Sequence, residues 1–130
     1  MNTHITNQQR NELLKFQQGE LDAVIIYQKL AGAVKNPDHK ETFRKIAADE
    51  GKHAAILRKY SGEHLTPKKT KAFIILMLYK IIGFNQLLDL LIKGEEQAAV
   101  KYASYLALFP LIHEIISDED KHAQLMSKMK

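Results

Sequence analysis

The sequence predicts an all-α domain, an antiparallel four-helix bundle whose two helix pairs are joined by a crossover helix. Three observations carry this. Leu, Ile, Ala, Lys, Glu and Gln dominate a 130-residue chain with only six Gly and three Pro, a composition that favours long helices over strands. Apolar residues recur at steps of three and four along four separate stretches, the rhythm of a buried bundle stripe. The stretches also come as two similar pairs, so the chain reads as a duplicated helix pair. A chain of this length buries roughly two-thirds of the surface its unfolded form exposes, enough for one core. The organisation expected is a single domain over 1–130, with a helix pair over 7–60, a crossover over 61–83 and a second pair over 84–128.

The first helix, near 7–34, carries Leu13, Phe16, Glu20, Ala23, Tyr27 and Leu30 on one stripe. Asn36 and Pro37 can cap and open the second, near 38–60, whose stripe is Phe43, Ile46, Glu50, His53, Leu57 and Tyr60. Ser61-Gly62 can end it, and Thr66-Pro67 can start the next segment. The apolar run from Ala72 to Ile92 is about long enough to cross a bilayer. Lys80, Asn85, Gln86 and Asp89 interrupt it and Gly83 breaks it, so a crossover helix over 68–82 is the reading. Such a link is needed if both pairs are to pack in one bundle. The fourth helix, near 84–107, offers Leu88, Leu91, Glu95, Ala98, Tyr102 and Tyr105. Phe109-Pro110 separates it from the fifth, near 110–128, with Ile112, Ile115, Glu119, His122, Met126 and Met129.

The duplication is clearest where ADEGKHAAIL (48–57) returns as SDEDKHAQLM (117–126), and where FQQGELDAVIIY (16–27) returns as LIKGEEQAAVKY (91–102). Each copy of the first places a glutamate and a histidine one turn apart on one helix face. Burying an isolated carboxylate costs several kcal/mol even after relaxation, and Glu20, Glu50, Glu95 and Glu119 would also repel one another. No Arg or Lys lies on the stripes, so cations or protons must compensate. Two metal ions held by those four glutamates with His53 and His122 would do so. One Glu from each of two helices and Glu-x-x-His from each of the other two is a di-metal carboxylate arrangement.

Asp49 and Asp118 precede ligand glutamates and could accept the free ring N–H of a histidine; the alternative is that they are surface acids. Tyr27 and Tyr102 lie two turns beyond Glu20 and Glu95, where a phenol could bond to a ligand carboxylate or supply a proton; otherwise they are core tyrosines with a polar tip. His4, His39, His64 and His113 have no partner on a stripe and are expected at the surface. Glu96 points about 100° away from Glu95 and is a poorer ligand.

The chain contains no cysteine, which excludes disulfides, thiolate metal sites and thiol nucleophiles within it. Net charge is +4 and the pI about 9.2, but apart from TPKKTK (66–71) the basic residues are scattered. Nothing marks a nucleic-acid groove. The N-terminal MNTHITNQQRNELLKF lacks the pattern of a signal peptide, so a cytoplasmic location is expected. Apolar surface on the crossover helix suggests a homodimer.

With these residues in place, the chain resembles the rubrerythrin branch of the ferritin-like superfamily, from Glu20 through YQKLAGAVKNPDHKETFRKIAADEGKHA to ISDEDKHAQLM. More narrowly, the basic-then-apolar crossover and IIGFNQLLDLLIKGEEQA resemble the ferritin-like domain found ahead of vacuolar-iron-transporter-like membrane domains. The resemblance implies a left-handed crossover and a centre of two Fe ions per chain on Glu20, Glu50, His53, Glu95, Glu119 and His122, with Mn or Zn as possible substitutes. It further implies oxidation of the pair by peroxide or dioxygen, of peroxidase or ferroxidase type. Without cysteine there is no rubredoxin-type centre in the chain, so the electron donor is a separate protein. Rubrerythrins typically carry one more glutamate where this chain has Ala98, which leaves six ligands and a site closer to the ferroxidase type. The alternatives are an iron-binding or delivery module working with a membrane iron transporter and, third, a hydroxylase of membrane quinone.

Overall fold

The computed structural model describes residues 5–130, and His4 lies outside them. Five helices follow one another: α1 (Asn7–Ala33), α2 (Pro37–Ser61), α3 (Thr70–Ile82), α4 (Phe84–Ala103) and α5 (Ile112–Ser127), with no strand among the described residues. The architecture is the expected all-α bundle. α1 packs along α2 and α4 along α5, while α3 lies against α1 and delivers the chain to the second pair.

Local chemistry sets the boundaries. Thr6 and Gln9 form a reciprocal capping box at the start of α1. Asn36 Oδ1 accepts from the N–H groups of Asp38 and His39, and Pro37 takes the first turn of α2. Gly62, at φ 68°, supplies the left-handed residue that ends α2. Gly83, at φ 83°, splits the long apolar run into α3 and α4. No helix among the described residues is long and apolar enough to cross a membrane.

Three buried polar side chains fix where the crossover begins. Gln17 donates to Glu63 O at 2.9 Å and accepts from Ser61 Oγ at 2.5 Å. Asp22 Oδ1 accepts from Gln18 Nε2 and from the Lys68 N–H, both at 2.8 Å. Each buried group is therefore satisfied, and the 62–69 segment is held against α1.

α4 is shorter than the pattern predicts. It ends at Ala103, and the chain to residue 111 runs in turns, with Tyr105 N–H bonding to Tyr102 O and Leu108 N–H to Tyr105 O. The three-residue spacing of these bonds tightens the backbone ahead of Pro110, which has no N–H to donate and disfavours helical geometry at Phe109. α5 correspondingly starts two residues later, at Ile112. Tyr105 stays on the stripe despite this, half-buried against Phe16.

The buried apolar residues form two clusters. One, around Tyr27, Leu30, Phe43, Ile46, Leu87, Leu88 and Met126, lies toward one end of the bundle. The other, around Leu13, Leu57, Tyr102, Ile112 and Ile115, lies toward the opposite end. On every one of the four bundle helices the predicted glutamate falls between the two clusters. A polar layer is thus clamped between dry ones.

Candidate metal centre

The predicted seam puts Glu20 on α1, Glu50 and His53 on α2, Glu95 on α4, and Glu119 and His122 on α5, and all six are buried, none more than 5% exposed. Their ligand-type atoms converge as two groups, each within 4.8 Å: Glu20, Glu50, His53 and Glu119 in one, and Glu50, Glu95, Glu119 and His122 in the other. Glu50 and Glu119 belong to both. The two groups are therefore adjacent sites that share a pair of carboxylates, with Glu20 and His53 particular to one and Glu95 and His122 to the other.

The histidines are held from behind. His53 Nε2 lies 2.8 Å from Asp118 Oδ2, and His122 Nε2 lies 2.9 Å from Asp49 Oδ2. A carboxylate can only accept, so each Nε2 carries the proton and each Nδ1 is turned toward the glutamates. The pairing is crossed: the aspartate of each copied motif serves the histidine of the other. An aspartate next to one of these glutamates projects about 100° around the helix, toward the neighbouring helix, and the packing of α2 against α5 decides which histidine it meets.

The tyrosines cross in the same way. Tyr27 Oη donates to Glu95 Oε1 at 2.9 Å, and Tyr102 Oη donates to Glu20 Oε2 at 3.2 Å. Burial, and next the charge of Glu95 for Tyr27 and of Glu20 for Tyr102, pushes both phenols well above their ordinary range. They remain neutral donors at neutral pH. Glu96 and His113 are exposed, as is His64, while His39 is half-buried with its ring stacked 4.9 Å from that of Phe84.

The residues fit a cation pair. Among the described residues, five buried side-chain atoms lack a hydrogen-bond partner: Glu50 Oε1, His53 Nδ1, Glu95 Oε2, Glu119 Oε1 and His122 Nδ1. All five are potential ligand atoms of the two groups and face inward. Buried oxygen and nitrogen atoms left unmatched are costly unless a cation or proton meets them. With protons alone, burial raises Glu50 to about 8 and Glu119 to about 12, with repulsion from Glu20 adding to both. Glu95 moves down despite its burial, because the His122 ring beside it favours the carboxylate. His53 is pushed far up and His122 to about 9, their carboxylate neighbours outweighing burial. Such protons are what metal ions would displace.

Access comes from the side on which α1 and α4 face each other. No Cα of α1 comes within 8 Å of one of α4, and only side chains bridge the gap. A cavity of ≈ 560 Å³ occupies it, reaching Glu20, Glu50, Glu95, Glu119 and both tyrosines.

A family model described as Rubrerythrin matches residues 13–74. That span covers most of α1, all of α2 and the start of α3, and so includes Glu20, Glu50 and His53. The likeness to that family is therefore carried by the first helix pair. Glu95, Glu119 and His122 lie beyond the match and are joined to the first three by the geometry above. No curated protein and no solved structure matches the chain.

Proposed function

We propose that this is a di-iron carboxylate protein of the rubrerythrin kind, which reduces hydrogen peroxide or dioxygen with electrons delivered by a separate donor. The observation that carries the reading is the pair of four-residue ligand groups sharing Glu50 and Glu119. The oxygen and nitrogen donor set suits iron, and manganese or zinc could also occupy it. Bound iron would supply the one-electron chemistry that this chain's own side chains do not.

The chain's part is to bind, orient and exclude water. Glu20 and His53 would hold one ion and Glu95 and His122 the other, with Glu50 and Glu119 common to both. Asp118 and Asp49 keep Nε2 protonated, so that each Nδ1 offers its lone pair inward. Tyr27 and Tyr102 fix the carboxylates of Glu95 and Glu20 by donating to one oxygen of each. Each phenol also holds a proton beside the carboxylate layer, and either could supply one to the reaction. The apolar clusters above and below close the layer at both ends and leave the α1–α4 side as the way in.

Anaerobic titration of metal-free protein with Fe(II), followed by peroxide or dioxygen, tests this. Saturation at two irons per chain and rapid oxidation, read from near-ultraviolet absorption, is the expected result. Failure to bind iron would overturn the reading.

A further inference from the structure

The metal layer keeps the twofold character of the duplication, but the groove above it does not. Aligning Glu20 with Glu95 places Phe16 on Leu91, Gly19 on Gly94, Ala23 on Ala98 and Tyr27 on Tyr102, matched or similar pairs that line the cavity. The same alignment sets Lys15 on Leu90 and Ile26 on Lys101, where basic and apolar residues exchange. All four line the cavity as well.

The helices settle which end each residue occupies. Phe16 meets Tyr102 and Tyr105, with ring centroids 4.5 and 5.5 Å apart, while Tyr27 reaches Glu95, so α1 and α4 run antiparallel. Lys15 and Lys101 therefore fall at the same end of the groove, and Ile26 and Leu90 at the other, where Ile75 of α3 adds to the lining. At the basic end Lys15 Nζ lies 3.7 Å from Glu12, while among the described residues Lys101 has no carboxylate within 4 Å. The groove is thus polar at one end with a net positive charge, apolar at the other, and held open at its middle by Gly19, Ala23, Gly94 and Ala98. A symmetric site serving only a small oxidant has no use for this polarity.

We propose that the groove between α1 and α4 binds an amphiphile with an anionic head and an aliphatic tail, the head at Lys15 and Lys101 and the tail along Ile26, Ile75, Leu90 and Leu91. Its volume is in the range of small-molecule sites, and an apolar lining with a few placed charges is their usual make-up. The bound chain would cross Ala23 and Ala98 directly over the carboxylate layer. As an organic substrate or effector of that centre it rests on the di-iron reading; as a ligand of the groove it does not.

The test is calorimetric titration of decanoate into the full chain loaded with Zn(II), with metal content and oligomeric state measured in parallel. One saturable site per chain is expected, with 1-decanol binding more weakly. Lys101→Leu should weaken decanoate about tenfold, the scale of a lost charge-assisted contact, and Lys101→Arg should keep most of the affinity. Ala98→Phe should block the groove yet leave the metal content unchanged. If that variant does not fold, the Leu and Arg substitutions at 101 still decide. Absence of saturable binding to protein that holds its metal overturns the proposal, as does equal binding by Lys101→Leu. So does a metal-loaded dimer that excludes decanoate, since a second copy would then be the occupant. Decanoate binding by protein that takes up no metal would sink the di-iron reading and leave the groove assignment standing.

Discussion

Around His53 three carboxylates crowd Nδ1, with Glu50 and Glu119 at 3.1 Å and Glu20 at 3.2 Å, whereas His122 Nδ1 faces only Glu95 at 3.4 Å and Glu50 at 3.5 Å. Both half-sites come from one copied motif and use the same residue types. The His53 half is nonetheless the tighter, and the two carboxylates that reach both histidine groups come from α2 and α5, the helices that also supply the histidines. The difference teaches that duplication copies residue identity without copying the distances between residues. It also divides the six proposed ligands by consequence, because two belong to both groups and four do not.

Substitution of the shared ligands gives the largest expected effect. Glu50→Ala or Glu119→Ala should drop the metal content from two ions per chain to none, since each removes a donor from both groups. Glu20→Ala and Glu95→Ala should each leave one. Elemental analysis after reconstitution reads this directly, and one retained ion in Glu50→Ala would break the division into shared and particular ligands.

Proton release is the next measure. Without metal at pH 7, Glu50 at about 8, Glu119 at about 12 and His122 at about 9 all hold a proton, and so does the strongly raised His53. Each must lose it before binding a cation, so affinity should tighten as pH rises from 6 to 8. Calorimetry in buffers of different ionisation enthalpy counts the protons released. Binding that is independent of pH would mean the site is already deprotonated.

The aspartates sharpen the comparison further. In Glu95→Ala, which keeps the His53 group, Asp118→Asn should weaken the remaining ion about 10- to 100-fold, the usual effect of losing a histidine's supporting carboxylate. Asp49→Asn should matter little in that background, because it serves His122. The opposite ranking would show that each aspartate acts within its own helix.

Much of this was legible in the sequence. The three-four stripes set Glu20, Glu50, His53, Glu95, Glu119 and His122 each in the middle of an apolar stripe because a helix has a fixed pitch, and the Asn36-Pro37 and Gly62 punctuation marked real helix ends. What could not be read lies in relations between helices. Whether Asp118 supports His53 or His122, and which glutamates are shared, depends on how α2 meets α5, a packing matter that no single helix encodes. The end of α4 at Ala103 was missed because Tyr105 continues the stripe while Pro110, beyond it, sets the backbone. The polarity of the groove needed the antiparallel run of α1 and α4, after which Lys15 and Lys101, far apart in sequence, proved to share an end.

The smallest expected effect lies in the tyrosines. Tyr27→Phe removes a 2.9 Å bond to Glu95 in fully buried surroundings, and Tyr102→Phe a 3.2 Å bond to Glu20. Losing a buried bond to a charged group costs about 1–3 kcal/mol. Tyr27→Phe should fall in that range and Tyr102→Phe near or below its lower limit. The Tyr102 ring also stays packed on Phe16 at 4.5 Å when its hydroxyl is gone, while Tyr27 has only the more distant Phe43 ring at 5.9 Å. Urea denaturation of the metal-free variants measures both. The ranking is informative in itself, because Tyr27 acts on the carboxylate of the looser half and Tyr102 on that of the tighter. A larger loss from Tyr102→Phe would mean that the crowding around His53 depends on that phenol holding Glu20 in place, and the asymmetry between the half-sites would then originate in the tyrosines rather than in the spacing of α2 and α5.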